Sequence, residues 1–203
     1  MTKKIRERIK RFIKNLLGKK PKQNCKQFIP EITYPDGSWI DVETTADQKR
    51  IEDYLENMMV DKKTILHVGT GNSSFAKIFC KNNQVDSITV VDDELLNANL
   101  LKLANYNCFK INKYSLDLKK LSKKYDLIVD NNLSSYACCK DHFVDMMNAY
   151  FHLLKQNGCI ITDQQGMEYH RGFSFPISVE EIKVLFPKTH IKKMDTIVTI
   201  SIK

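Results

Sequence analysis

From residue 64 to the C-terminus, short β-rich runs and helix-patterned segments alternate with almost no slack, and no other feature constrains the fold as tightly. "TILHV" (64–68) passes through a glycine turn into a helix from about Ser74 to Lys81; "SITVV" (87–91) leads to "DDELLNANLLKLA", and "CFKI" (108–111) to "SLDLKKLSKK". "YDLIVD" (125–130) precedes a long helix at 140–155, after which Asn157-Gly158 turns into "CIITD" (159–163). Strands that trade places with helices in this way pair in parallel through crossovers, with helices on both faces. After the helix "VEEIKVLF" and Pro187, "THIKKM" and "TIVTISIK" are separated by Asp195 alone, a link that only an antiparallel hairpin can use. The predicted fold is α/β: a doubly wound, mostly parallel seven-stranded sheet with a C-terminal antiparallel hairpin.

The chain has 203 residues, enough for one ordinary domain and too few for two with separate cores. Its net charge of +8 is misleading until it is located. Residues 1–26 hold eleven Lys/Arg and one acid, whereas the remaining 177 residues hold 21 Lys/Arg and 23 acids. A nearly neutral body argues against a nucleic-acid cleft, so any attraction to phosphates belongs to the N-terminal arm. In that arm Ile5, Ile9, Phe12, Ile13, Leu16 and Leu17 form one apolar stripe opposite a basic face. Three readings stay open for residues 1–20: an in-plane helix on an anionic membrane, a helix packed against the domain or a protein partner, or a solvated arm. The layout is then a basic amphipathic helix at 1–21, an extension with a capping helix at 22–63, and the α/β domain at 64–203. The capping helix starts at "TTADQKRIEDYLENMM", with Thr45 as its cap and Gln48 as the capping-box partner. Six cysteines lack C-x-x-C spacing and sit partly in apolar runs, which indicates a reducing cytoplasm, peripheral membrane contact aside, and no metal site.

In "TILHVGTGNSSFA", Gly69 and Gly71 let the backbone turn sharply and approach a ligand, and the helix that follows aims its N-terminal amides at the turn. Trp39 and Tyr34 either close over such a ligand or plug the edge of the sheet. Cys138 and Cys139, adjacent at a helix start, read as packing residues.

Taken together, "ILHVGTGNSS", "VVDDE", "YDLIVDNN", "NGCIITD" and the closing hairpin resemble the class I S-adenosylmethionine-dependent methyltransferases, over about residues 45–203. The resemblance implies a Rossmann-like domain with S-adenosyl-L-methionine as cofactor, held by Gly69, Thr70, Gly71, Asn72, Asp92 and Asp130. Asp92, about 20 residues past the glycines, is the acid expected at the ribose hydroxyls. Asp93 and Glu94 stand ready to replace it, and all three also suit the first turn of a helix. Asp130 and Asn131, at the sheet's ligand-binding edge, are candidates for substrate or methionine contact and for proton transfer, against a plain Asx turn. In the polar loop 164–178, His170 is the candidate general base, with Tyr169 and Arg171 orienting the substrate; a solvated loop is the alternative. Two departures stand out: His67 replaces the usual first-loop acid, and Ser73 replaces a third glycine. The Asn-Pro-Pro-aromatic signature is also missing, which argues against base and amide N-methylation. The expected function is methyl transfer to a small-molecule, sugar or lipid-linked acceptor. The alternatives are an aminopropyltransferase and a non-catalytic membrane-associated scaffold.

Overall fold

The computed structural model describes residues 38–134, 137, 139–168 and 176–203. The basic segment 1–21, residues 22–37 with Tyr34, Cys138, and the loop residues Tyr169, His170 and Arg171 lie outside the described residues.

In chain order the elements are α1 (Ala46–Asn57), β1 (Thr64–Val68), α2 (Ser74–Phe79), β2 (Gln84–Thr89), α3 (Asp92–Leu100) and β3 (Tyr106–Lys110). A short 3-10 turn (Leu116–Lys120) leads to β4 (Tyr125–Val129), α4 (Lys140–Leu153), β5 (Leu154–Asp163), α5 (Gln164–Glu168), α6 (Val179–Leu185), β6 (Thr189–Met194) and β7 (Ile197–Ile202). The seven strands form one sheet in the order β3-β2-β1-β4-β5-β7-β6. β1 to β5 pair in parallel, and β7 runs antiparallel to both β5 and β6. The alternation of strand and helix and the one-residue link at Asp195 thus produce the predicted topology.

Side chains on successive strand residues leave the sheet on opposite faces, and each face is apolar. Leu66, Ile128, Ile160, Val198 and Ile200 pack with Phe143, Met146, Met147 and Tyr150 of α4 and with Ile182 of α6. Ile65, Val85, Val129, Ile161 and Ile197 pack on the other side with Ile51 and Leu55 of α1 and with Phe75 and Phe79 of α2. A bidentate ion pair fixes α1 along the sheet: Arg50 Nε and Nη2 donate to Asp163 at 2.9 and 2.8 Å, and Thr196 Oγ1 donates to the same carboxylate at 2.8 Å. Among the described residues no helix is long and apolar enough to cross a membrane.

Three local expectations are corrected. Thr45 occupies the N-cap of α1 without a side-chain cap bond, and Gln48 does not close a capping box: it turns down its own helix and donates to Glu52 at 3.2 Å. The segment "SLDLKKLSKK" makes only the 3-10 turn; Asn112 and Ser115 close local turns ahead of it, and Leu118 is its one buried side chain. Asn157-Gly158 is an irregularity inside β5 rather than a turn before it. Asn157 takes a left-handed φ of 65°, and a side chain on Gly158 would come within 2.9 Å of the Tyr125 carbonyl.

Candidate functional site

The parallel strands end at one edge, where ligands bind in open α/β sheets. At that edge lies a cavity of about 220 Å³ whose walls come from four loops.

The first wall is the loop after β1. Gly69 and Gly71 have φ of +91° and +50°, which glycine adopts without penalty; the space beside Gly69 is clear, and a side chain on Gly71 would touch Trp39. Ser73, at the expected third-glycine position, takes the same left-handed turn with φ 62°. Asn72 does not reach outward: its amide donates to the Val42 carbonyl at 2.9 Å and to Thr44 Oγ1 at 3.2 Å, while its oxygen accepts from the Ser74 N–H at 2.9 Å. Thr44 Oγ1 in turn donates to Ser74 Oγ at 2.9 Å. Residues 39–45 are thereby strapped across the glycine loop, with Trp39 lining the cavity.

At the end of β2, Ile88, Thr89, Val90, Val91 and Glu94 form the second wall. Of the three consecutive acids, only Glu94 belongs to it. Asp92 is exposed on α3, ion-paired with Lys110 at 2.7 Å, and Asp93 is exposed as well. Glu94 is buried and binds three separate segments: it accepts from Thr89 Oγ1 at 2.7 Å, from the Gly71 N–H at 3.3 Å and from the Trp39 N–H at 3.3 Å.

The third wall joins the loop after β3 (Ile111 to Tyr114) to the turn after β4 (Asp130 to Asn132). Lys113 Nζ lies 2.9 and 3.1 Å from the two Asp130 oxygens and donates to the Asn132 carbonyl at 2.7 Å; Tyr150 Oη donates to Asp130 at 2.9 Å. Burial pushes the Lys113 ammonium down in pKa, against the pull of Asp130, and burial and then Asp130 hold the Tyr150 hydroxyl well above its ordinary value. Asn131 accompanies Asp130 on the cavity, its amide donating to Asp47 of α1 at 2.9 Å. Gly166 of α5 packs so closely on this turn that a Cβ there would lie 2.2 Å from the Asn131 carbonyl oxygen.

His67 closes the floor. It is 4 % exposed and stacks on Phe75 at 4.2 Å, and burial drives its pKa from 6.5 down to about 3, so the imidazole is neutral at physiological pH.

The structure therefore brings Gly69, Thr70, Gly71, Asn72, Asp130 and Asn131 together around one cavity and leaves Asp92 outside it. Lys113 had no assigned role in the sequence, and its only signal there was a lysine in the loop that follows β3 at the ligand-binding edge.

No protein-family model matches this chain, and no curated protein sequence matches it. Solved structures do. The N-methyltransferase NodS from Bradyrhizobium japonicum WM9, in complex with S-adenosyl-L-homocysteine, superposes with a TM-score of 0.58 at 11% identity, over 83% of this chain and 88% of that one. Magnesium protoporphyrin IX methyltransferase from Synechocystis PCC 6803, with bound S-adenosylmethionine, gives 0.57 at 12% identity, over 76% and 77%. Coclaurine N-methyltransferase, bound to N-methylheliamine and S-adenosylhomocysteine, gives 0.56 at 12% identity, over 75% of this chain and 52% of that one; the present chain spans about half of it. The chain has the fold of class I S-adenosylmethionine-dependent methyltransferases.

Proposed function

We propose that the protein is an S-adenosylmethionine-dependent methyltransferase acting on a small-molecule, sugar or lipid-linked acceptor. The observation that carries this reading is the Gly71 amide, which faces a carboxylate. In nucleotide loops that hold a pyrophosphate, the amides after the glycines stay free for phosphate oxygens. Here Glu94 already accepts from Gly71 N–H, so a phosphate would displace a carboxylate and meet its repulsion. A nucleoside without phosphates escapes both penalties, and the solved structures of this fold with bound S-adenosylmethionine or S-adenosylhomocysteine support the same choice.

The described residues fit such a group. Gly69 and Gly71 leave room for close approach, Ile88, Val90, Val91 and Ile111 offer apolar walls for a base, and Glu94 offers a carboxylate to hydroxyls or to a cation. When bound, the cofactor supplies an activated methyl group on a sulfonium leaving group. The chain's own share is positional: it excludes water and fixes the line of attack. Asp130, balanced by Lys113, holds the turn after β4, so that Asn131 and Asn132 line the cavity in a fixed arrangement, the Asn131 amide donating to Asp47 and the Asn132 amide to Asn131 Oδ1. His170, Tyr169 and Arg171 remain candidates for the acceptor side, with His170 as base.

Calorimetric titration tests the reading: S-adenosylmethionine or S-adenosylhomocysteine binds, and NAD does not. Binding of NAD alone, or of neither sulfur nucleoside, overturns it.

A further inference from the structure

α3 is apolar on two faces. Glu94 and Ala98 are buried on its inner face, which packs on β2 and on β3, the outermost strand of the sheet. On the opposite face Leu96 and Leu100, one turn apart, are 61% and 66% exposed, and among the described residues nothing covers them. A helix with apolar residues on both sides is ordinarily buried on both. The surroundings of this stripe are acidic. Residues 39–48 and 92–101 hold no Lys or Arg, while Asp41, Glu43 and Asp93 are exposed. Other exposed apolar groups stand among lysines: Met194 beside Lys192 and Lys193, Leu116 beside Lys119 and Lys120.

The chain itself arrives at α3. Trp39 donates its N–H to Glu94 in the first turn of that helix at 3.3 Å, so residues 1–38 lead into the fold there. They carry the apolar stripe from Ile5 to Leu17, bordered by lysines and arginines. We propose that residues 5–17 form a helix that folds back on α3, with its apolar stripe over Leu96 and Leu100 and its bordering cations toward Asp93, Asp41 and Glu43. The inference goes beyond the methyltransferase reading and does not depend on it. Residues 18–38 span up to ~70 Å when extended, whereas α3, with nine residues, is ~14 Å long. The connection therefore reaches every part of α3, and a tether of this kind keeps the segment at a local concentration on the order of 1 mM. A contact with an affinity of only ~0.1 mM is then about nine-tenths occupied, which slows amide exchange in the segment about tenfold.

Hydrogen exchange of the full chain, read by mass spectrometry, is the test. In dilute protein without lipid, residues 5–17 are expected to exchange about tenfold more slowly than in Leu96→Gln with Leu100→Gln. Leu116→Gln, the same substitution at an exposed leucine elsewhere, is expected to change nothing. Unaltered exchange in β1 and α4 shows that the double variant has folded. If it has not, Ile9→Gln with Ile13→Gln takes its place, and exchange at residues 95–101 is expected to rise while β1 holds; no rise overturns the inference. A segment that is unprotected in the unaltered protein overturns it too, and so does protection that survives both α3 substitutions. Protection that grows with protein concentration assigns the stripe to a second copy, and protection that appears only with phosphatidylglycerol vesicles assigns it to an anionic membrane; either result sinks the intramolecular contact.

Discussion

Lys113 and Asp130 show how a single buried pair shapes the site. Each is nearly sealed from solvent, with side chains 11% and 1% exposed, so the charges were taken out of water at a cost that their attraction only roughly repays. What the pair supplies is position: one ammonium reaches the Asp130 carboxylate and the carbonyls of Asn132 and Leu133, fixing the whole turn after β4. Lys113→Met should therefore destabilise the protein by about 3–5 kcal/mol, since it strands a buried carboxylate, and Lys113→Met with Asp130→Asn should lose clearly less. Urea denaturation of both variants measures the difference; equal losses would mean that the two groups are not coupled. Asp130 was legible in the sequence because it follows a strand directly at the ligand-binding edge. Lys113 was not, because β3 and β4 are separated in the sheet by β2 and β1, and only the loops beyond the strand ends bring the two residues together. The acids at 92–94 fail in a similar way. The sequence offers three carboxylates in a row, and the start of α3 at Asp92 decides that the third side chain turns back to the glycine loop while the first two face water.

Elements were more legible than contacts. Strand and helix alternation carries period and spacing, and these give the seven strands, the parallel pairing of β1 to β5 and the closing hairpin, with boundaries off by a few residues; the strand order comes from the structure. The strap at 39–45 carries no such period, so its place over the glycine loop came only from hydrogen bonds. Asn72 is its main anchor, using both ends of its amide on Val42, Thr44 and Ser74. Asn72→Ala removes those bonds at about 1 kcal/mol each, against a strap that buries little else. Hydrogen exchange should then quicken at residues 39–45 and stay unchanged in β1 and β4. S-adenosylmethionine affinity should fall several-fold in the same variant, because Trp39 loses its seat beside Glu94. Unaltered exchange across the strap would show that Glu94 and Ser74 hold it without Asn72.

For the molecule as a whole, the missing first-loop acid leaves a mark on stability. His67 has an unfolded pKa near 6.5 and a folded one of about 3, so between those values the unfolded chain binds a proton that the folded one refuses. Its stabilising contribution is complete above pH 6.5 and drains away as pH falls, by up to about 1.4 kcal/mol per unit. Glu52 works in the opposite direction: buried beneath Gln48 and Ser74, its carboxyl is held above the usual range chiefly by desolvation, so the folded state takes up a proton first and gains stability on mild acidification. Asp126 and Asp163 have lowered values; burial alone would raise them, but bonds from Lys155 and Arg50 outweigh it, and their contributions are lost only below about pH 4. The window from pH 6.5 to 4.5 therefore sets His67 against Glu52: His67 alone should cost on the order of 2 kcal/mol across it, Glu52 offsets part of that, and the protein should lose stability on balance. His67→Phe retains the stacking on Phe75 and carries no titratable group, so its stability should hold level or rise over the same window, while Glu52→Gln should fall more steeply than the unaltered chain. Urea midpoints at pH 6.5, 5.5 and 4.5 decide the matter, and a His67→Phe profile that tracks the unaltered protein would place the acid sensitivity in some other group.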